Sequence, residues 1–283
     1  MLLTRPTRQF FEERLGSRTQ FTELEFERPF QLGASRATLF PAGHILGSAQ
    51  ILVENRQRIV YTGDFRLRPN PATENVQIRQ CDTLIMEATF GRPQYVFPGN
   101  EEVEQQLKRE IDSCLNSRVV PIIRAYALGK AQEVIVLLNR LGYRVAVDPT
   151  TRRYCDIYEA NGIRLGEIEI LPTTGQVGSE SVDWGRAGYH GLVFVVGARA
   201  ALAQLLARYP RRRVMFVTGW GVDANAARRF GVDVVIPLSD HADYFDLIQY
   251  VEMAQPREVL ITHGAPEFAR DLRNLGFSAR FLG

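Results

Sequence analysis

The sequence predicts an α/β protein with strand-rich segments at both ends and a middle in which strands alternate with helices. Residues 21–65 read as short strands joined by tight turns. Across residues 100–235, buried-strand patterns alternate with helical ones, which favours a parallel, Rossmann-like sheet. Residues 234–283 return to apolar strands that end in polar motifs. The alternation carries no Gly-x-Gly-x-x-Gly fingerprint, so a dinucleotide site is not expected.

Composition narrows the class of protein. The 283 residues are 45% hydrophobic and 23% charged, which is ordinary for a soluble globular protein with one large core or two smaller ones. The sequence contains no apolar run near the ~18 residues that a membrane span needs, and residues 1–8 lack the apolar core of a signal peptide. Three scattered cysteines fit reduced thiols. We therefore expect a cytoplasmic protein with no membrane partner.

The first strand-rich segment contains a predicted β-hairpin. Residues 49–54 and 58–62 form two β-rich runs around the polar turn at 55–57. A hairpin brings the residue before its first strand close to the residue after its second. His44 and Asp64 occupy such flanking positions, so we expect them to meet at one edge of a sheet.

The middle segment has clear helical and strand patterns. One helical face is formed by apolar residues at four-residue spacing: Val103, Leu107, Ile111 and Leu115. A second helix is predicted over 128–141, closed by Gly142 just past its end, and a third over 200–208. Buried strands are predicted at 119–123, 144–147, 193–196 and 214–217.

Polar side chains follow several predicted strands. Glu87 follows the strand at 82–86, and His241 and His263 come after apolar runs near the end of the chain. Ligands of open α/β sheets gather at the carboxyl ends of strands, and imidazole and carboxylate groups bind metals or move protons. Taken singly, each residue has a structural alternative: a hydrogen-bonded histidine, a turn or cap for Asp64, an ion pair for Glu87.

Taken in order, the motifs resemble those of the β-CASP branch of the metallo-β-lactamase-fold nucleases. Gly43-His44-Ile45-Leu46-Gly47-Ser48 is similar to the third metal motif of that family, and Thr62-Gly63-Asp64-Phe65 to the fourth. Glu87, His241 and His263 match motifs A, B and C, and the run Tyr-Ala-Leu-Gly-Lys-Ala-Gln-Glu at 126–133 is a further hallmark. The closest likeness is to prokaryotic exonuclease-like members, including ligase-associated DNA exonucleases and RNA 3′-end processing factors.

The resemblance implies a two-domain architecture. A metallo-β-lactamase-like αββα domain, without its first strands, is expected over residues 1–95 and 236–283. A Rossmann-like β-CASP domain is expected as an insertion over residues 96–235.

The resemblance also implies a nuclease site with two zinc ions. His44 would bind the first ion, Asp64 would bridge both, and His263 would bind the second. His241 would act as general acid, with Glu87 holding its orientation. RNA or single-stranded DNA is the implied partner; zinc versus manganese, endo- versus exonuclease action and a homodimer are left open.

The same hallmark run contains Gly129 and Lys130 at the start of a predicted helix. These two residues are expected to meet a substrate phosphate together with free backbone N–H groups. The alternative is that Lys130 is an ordinary exposed residue of the first helical turn.

One family feature is absent from this sequence. There is no histidine before His44, so the His-x-His-x-Asp-His motif and its four ligands are missing. We expect the 283-residue chain by itself to bind metal weakly and to cleave little or nothing. Either the natural product begins upstream of Met1, or the chain is a paralogue that binds nucleic acid or a partner without cleaving. The retained acid–base residues favour the first interpretation.

A third possible function is hydrolysis of a small ester or lactone. The inserted domain argues against this function.

Overall fold

The computed structural model describes residues 1–16, 20–171, 192–197 and 200–282. The chain forms two compact units: a split unit, Met1–Phe97 with Ser239–Gly283, and an inserted unit, Pro98–Leu238. The predicted α/β fold class is confirmed by the two large sheets and their flanking helices. Within the described ranges, no helix has the length and apolar character needed to cross a membrane.

The first part of the split unit is rich in strands. A helix lies near its start, and the Thr4 hydroxyl caps the N-terminus of this helix by accepting a hydrogen bond from the N–H of Thr7. Its elements are β1 (Leu2–Leu3), α1 (Arg5–Leu15), β2 (Thr22–Glu23), β3 (Phe30–Leu32), β4 (Ser35–Pro41), β5 (Ala49–Glu54), β6 (Arg58–Tyr61) and β7 (Thr83–Ala88).

The inserted unit alternates strands and helices, as predicted. Its described elements are α2 (Asn100–Asn116), β8 (Val120–Arg124), α3 (Lys130–Arg140), β9 (Arg144–Val147), α4 (Pro149–Ala160), β10 (Ile168–Ile170), β11 (Leu192–Val196), α5 (Ala200–Arg208), β12 (Arg212–Val217), a 3₁₀ turn (Gly219–Val222), α6 (Ala226–Phe230) and β13 (Val234–Ile236). The predicted apolar face of α2 is buried at Val103, Leu107 and Ile111. The helix predicted over 128–141 begins two residues later, because Tyr126–Gly129 forms a turn with Gly129 at φ +88°.

The described strands of the inserted unit form a parallel sheet in the order β10-β9-β11-β8-β12-β13. The central strands β8 and β11 are almost wholly buried. Burial on both faces explains why these strands read as continuous apolar runs rather than as alternating patterns.

The split unit is completed by four elements: α7 (Tyr244–Ala254), β14 (Glu258–Gly264), α8 (Glu267–Asn274) and β15 (Ala279–Phe281). Its larger sheet has the order β15-β14-β7-β6-β5-β4-β3. The neighbours from β15 to β6 are parallel and those from β6 to β3 are antiparallel. The core beneath it joins both parts of the unit, with Phe40, Phe65, Met86, Tyr250 and Phe268 fully or almost fully buried.

Gly264 allows β14 to approach β7 closely. It has φ +106°, and a Cβ atom there would lie 1.9 Å from the backbone oxygen of Ala88, its register partner. Gly276 has a similar φ of +93° but open space around it. We expect Gly264→Ala to lower the free energy of unfolding by about 1–3 kcal/mol more than Gly276→Ala, because only the first adds overpacking to backbone strain. Urea denaturation of both variants measures this difference; equal losses would contradict the steric account.

Candidate active site

The hairpin of β5 and β6 brings His44 and Asp64 together. His44 precedes β5 and Asp64 follows β6, and the strands pair antiparallel from Ile51 opposite Tyr61. The His44 Nε2 and Asp64 Oδ2 atoms lie 3.9 Å apart. The His44 side chain is mostly buried and that of Asp64 is half exposed.

The ring of His44 is held in one tautomer. Its Nδ1 atom lies 2.9 Å from the backbone oxygen of Asp240, and a carbonyl can only accept, so Nδ1 carries the proton. In the neutral ring, Nε2 on the side of Asp64 is then the nitrogen with a free lone pair. This is the usual arrangement of a metal-binding histidine, whose other nitrogen donates to a carbonyl or carboxylate.

The loop that carries His44 is also tightly held. The Ser48 hydroxyl accepts the N–H groups of His44 and Ile45. Gly43 has φ +74°, and a Cβ atom there would lie 2.6 Å from the backbone oxygen of Arg66. A glycine before the histidine is therefore required by the close passage of the Arg66 backbone.

His241 and Glu87 form a buried pair. His241 Nδ1 lies 2.8 and 3.1 Å from the two carboxylate oxygens of Glu87, and Glu87 is only 3% exposed. The carboxylate also accepts the Phe65 N–H at 3.0 Å and the N–H and hydroxyl of Thr89. Glu87 therefore holds the His241 ring with its proton on Nδ1.

The pair perturbs both pKa values. Burial acts to raise the pKa of Glu87, but the hydrogen bond and charge of His241, with the bonds from Thr89 and Phe65, lower it overall. Burial acts to lower the pKa of His241, but the hydrogen bond and charge of Glu87, with smaller contributions from Asp240 and Asp64, raise it to about 9. An ionised carboxylate therefore faces a histidine that gains a proton readily.

The pH dependence of stability follows from this pair. The raised pKa of His241 stabilises the fold fully below 6.5, its ordinary value, and this stabilisation is lost as pH rises through about 9. With a chelator present to remove metal ions, we expect the free energy of unfolding to fall by roughly 2–3 kcal/mol as the pH rises through this interval. His241→Gln should remove most of that slope, while the exposed His263→Gln should keep it. Urea titrations at several pH values test this; an unchanged slope in His241→Gln would contradict the assignment.

Four of the five predicted acid–base or metal residues come together, and one does not. Two clusters of ligand atoms, each within 4.8 Å, are formed by His44, Asp240 and His241 and by Asp64, Glu87 and His241. Among the described residues, His263 joins neither cluster. It lies exposed on β14, opposite Glu87 in register.

The donor chemistry nevertheless fits a metal ion at His44 and Asp64. An imidazole nitrogen and a carboxylate oxygen 3.9 Å apart lie within reach of one zinc ion, because two ligands bound at about 2.0–2.2 Å can be at most about 4.4 Å apart. Three ligands, counting His263, are too few to close two such sites.

Lys130 and Gly129 lie in the inserted unit, at the start of α3. Lys130 is 1% exposed, so the interpretation of it as an ordinary exposed residue is wrong. The expectation of free backbone N–H groups also needs correction. The Gly129 N–H donates to Gln132 Oε1 at 2.7 Å, and those of Ala131 and Glu133 donate to backbone oxygens. Their predicted contact with phosphate stays a prediction.

Several supporting residues escaped the sequence analysis. Asp240 contributes its backbone oxygen to His44, and Thr89 and Ser48 hold Glu87 and the His44 loop. The partly buried Arg68 forms an ion pair with the fully buried Asp243. Ser48 and Thr89 lie within four residues of the groups that they bind, so their closeness to the motif residues is the signal for them in the sequence. The contacts of Asp240 and Arg68 join residues 196 and 175 positions apart and leave no local signal.

The chain is similar in sequence to a known domain family and to several known proteins. Residues 226–280 match the Zn-dependent metallo-hydrolase RNA specificity domain. A probable DNA ligase of Opitutus terrae is 34% identical over the whole chain, which corresponds to 27% of the ligase. Transcription termination factor FttA of Methanothermobacter thermautotrophicus is 34% identical over 48% of the chain and 22% of its own length. An RNase J-like protein of Methanocaldococcus jannaschii is 36% identical over 35% of the chain and 24% of its own length.

The matched domain and these relatives support the metallo-β-lactamase-fold β-CASP nuclease family for this chain. The chain spans about a quarter of the length of these relatives. The matched domain is zinc-dependent, so a metal cofactor is implied for this β-CASP chain, in keeping with the donor set at His44 and Asp64.

Proposed function

We propose that this β-CASP chain is part of a nuclease that hydrolyses phosphodiester bonds in RNA or single-stranded DNA. The chain would contribute the acid–base residues and some of the metal ligands of the active site. The observation that carries the proposal is the convergence of His44, Asp64, Glu87 and His241, with one nitrogen of each histidine fixed by a hydrogen bond. An acid–base pair with perturbed pKa values beside candidate metal ligands is typical of a functional site.

The residues divide the chemistry among them. His44, Asp64 and His263 would hold zinc. When bound, the metal supplies positive charge for the phosphate and lowers the pKa of a bound water. His241 donates a proton to the leaving oxygen, and Glu87 keeps its ring oriented and favours the protonated form. The half-exposed carboxylate of Asp64 is open to the solvent that supplies the water.

The location and assembly state form part of the same proposal. The protein would act in the cytoplasm on single-stranded substrate, and a homodimer is the assembly to test first, by light scattering. Lys130 and Gly129 would reach phosphate only if the turn before α3 rearranged, because the Gly129 N–H already donates to Gln132.

The test compares the 283-residue chain with the same chain fused to a His-x-His-x-Asp-His segment from another family member. Both are incubated with end-labelled single-stranded RNA and DNA, with zinc or manganese and with chelator. We expect little cleavage by the chain alone and metal-dependent cleavage by the fusion, because only the fusion has enough ligands for two ions.

Two outcomes would count against this proposal. If the folded, metal-loaded fusion cleaves neither nucleic acid, the nuclease function is wrong. Strand binding that survives chelator without any cleavage by the fusion would instead favour a non-catalytic nucleic-acid-binding paralogue.

A further inference from the structure

The strand order of the inserted unit contains a topological switch point. From β8 the chain continues through α3 to β9 on one side, and from β12 it continues to β13 on the other. β8 and β12 are neighbours, so their outgoing connections diverge at the carboxyl ends. Open α/β sheets bind ligands at such switch points.

An aromatic and cationic cluster occupies this position. Arg124 ends β8 and is the register partner of Phe216 on β12. The Arg124 guanidinium lies over the Phe216 ring, 4.7 Å from its centroid. The Tyr126 ring packs against the same phenyl ring, with centroids 6.0 Å apart, and Phe230 packs edge-on at 5.0 Å. We call Arg124, Tyr126 and Phe216 the switch-point cluster.

The cluster combines a fixed support with an exposed surface. Phe216 is 4% exposed, whereas Tyr126 is 50% exposed, although large aromatic rings are normally covered. Phe216 and Phe230 therefore hold in place a tyrosine that presents half its surface to solvent. An exposed, supported aromatic ring suits stacking against a planar ligand.

The charge of the cluster is not neutralised within the described part of the chain. Many arginines pair with a carboxylate, for example Arg213 with Glu110 at 2.9 Å and Arg229 with Asp223 at 3.3 Å. Arg124 is half-buried and makes no ion pair with any described residue; its recorded contact is the face of Phe216. A planar guanidinium held this way keeps its donors for an anion such as phosphate.

We propose that the switch-point cluster binds one nucleotide of a single-stranded nucleic acid, with the base stacked on Tyr126 and a phosphate bound by Arg124. Stacking on aromatic rings and cationic contact with phosphate are the two features shared by proteins that bind single strands without reading sequence. The choice of a nucleic-acid ligand rests on the proposed function, but the binding needs no metal and no His241.

The test measures binding of the 283-residue chain to a fluorescein-labelled single-stranded oligonucleotide in chelator, by anisotropy. Tyr126→Ala is expected to weaken binding about tenfold, while Tyr126→Phe keeps it within about twofold, because stacking needs the ring and not the hydroxyl. Arg124→Gln is expected to weaken binding and to reduce the salt dependence of log K by about 0.7, the value for one phosphate of a single strand. Circular dichroism confirms that each variant is folded.

The matched control is Arg140→Gln, an exposed arginine at the other end of α3. It removes the same charge and should leave the salt dependence unchanged. Equal binding by wild type and Tyr126→Ala would overturn the proposal, and so would equal effects of Arg124→Gln and Arg140→Gln. Tyr126-dependent binding of free adenosine monophosphate without binding of the oligonucleotide would also overturn it.

This result is independent of the cleavage assay. If the cluster binds single strands and the fusion fails to cleave, the proposed nuclease function is wrong and the proposed binding site is still supported. If the fusion cleaves and Tyr126→Ala binds normally, only the switch-point proposal falls.

Discussion

His241→Ala is expected to lower the rate of strand cleavage by about 10²–10⁴-fold, the usual contribution of a general acid. The rate is measured in the chain fused to the His-x-His-x-Asp-His segment, under single-turnover conditions. The reason is that Glu87 fixes the His241 ring and raises its pKa to about 9, so a protonated imidazole is available at neutral pH. Glu87→Gln should cause a smaller loss, because the ring stays present but is less well oriented.

Controls separate acid–base chemistry from loss of metal. His241 belongs to both ligand-atom clusters, so the zinc content of each variant is measured beside the rate. Arg257→Gln, which changes a side chain that is 85% exposed, should cleave like the unsubstituted fusion. If His241→Ala keeps both its zinc and its rate, the general-acid role is wrong.

Asp243→Ala is expected to lower the free energy of unfolding by about 3–5 kcal/mol, because it removes the more buried of the two carboxylates that pair with Arg68, the other being Asp246, and leaves buried N–H groups without their acceptor. The Asp243 side chain is fully buried, and the Arg68 guanidinium lies 2.5 Å from it. The carboxylate also accepts the N–H groups of Phe97, Phe245 and Asp246, and so caps α7. One side chain thus supports an ion pair, a helix start and the loop after His241.

Two further variants separate the contribution of the ion pair from that of the helix cap. Asp243→Asn keeps an oxygen for the α7 cap but removes the charge that faces Arg68, so its loss should be smaller than that of alanine. Arg280→Gln breaks an exposed pair with Glu258, and such pairs contribute at most about 1 kcal/mol. Urea denaturation of the three variants gives the comparison. A loss in Asp243→Ala no larger than in Arg280→Gln would contradict the buried-pair account.

Local patterns in the sequence predicted several strands and the helices α2, α3 and α5, but not α4, α7 or α8. The apolar period at Val103, Leu107 and Ile111 marked α2, and the runs around the 55–57 turn marked the β5–β6 hairpin. The hairpin argument also predicted correctly that His44 and Asp64 lie close together. These predictions succeeded because helix and hairpin geometry depends on neighbours in the chain. The start of α3 was misplaced by two residues, because the turn at Gly129 carries no distinct apolar signal.

By itself, the sequence determined the α/β class, the alternation in the inserted unit and the candidate residues for acid–base and metal chemistry. Apart from the hairpin pair His44 and Asp64, only the tertiary structure decided which of those residues meet. It paired Glu87 with His241 across 154 positions and His44 with the Asp240 backbone across 196, and it left His263 outside both clusters of ligand atoms in the described residues. It also buried Lys130 and joined Arg124, Tyr126 and Phe216 into one cluster. The physical reason is that such contacts depend on strand order and register, which arise from packing of the whole chain and leave no local periodicity to read.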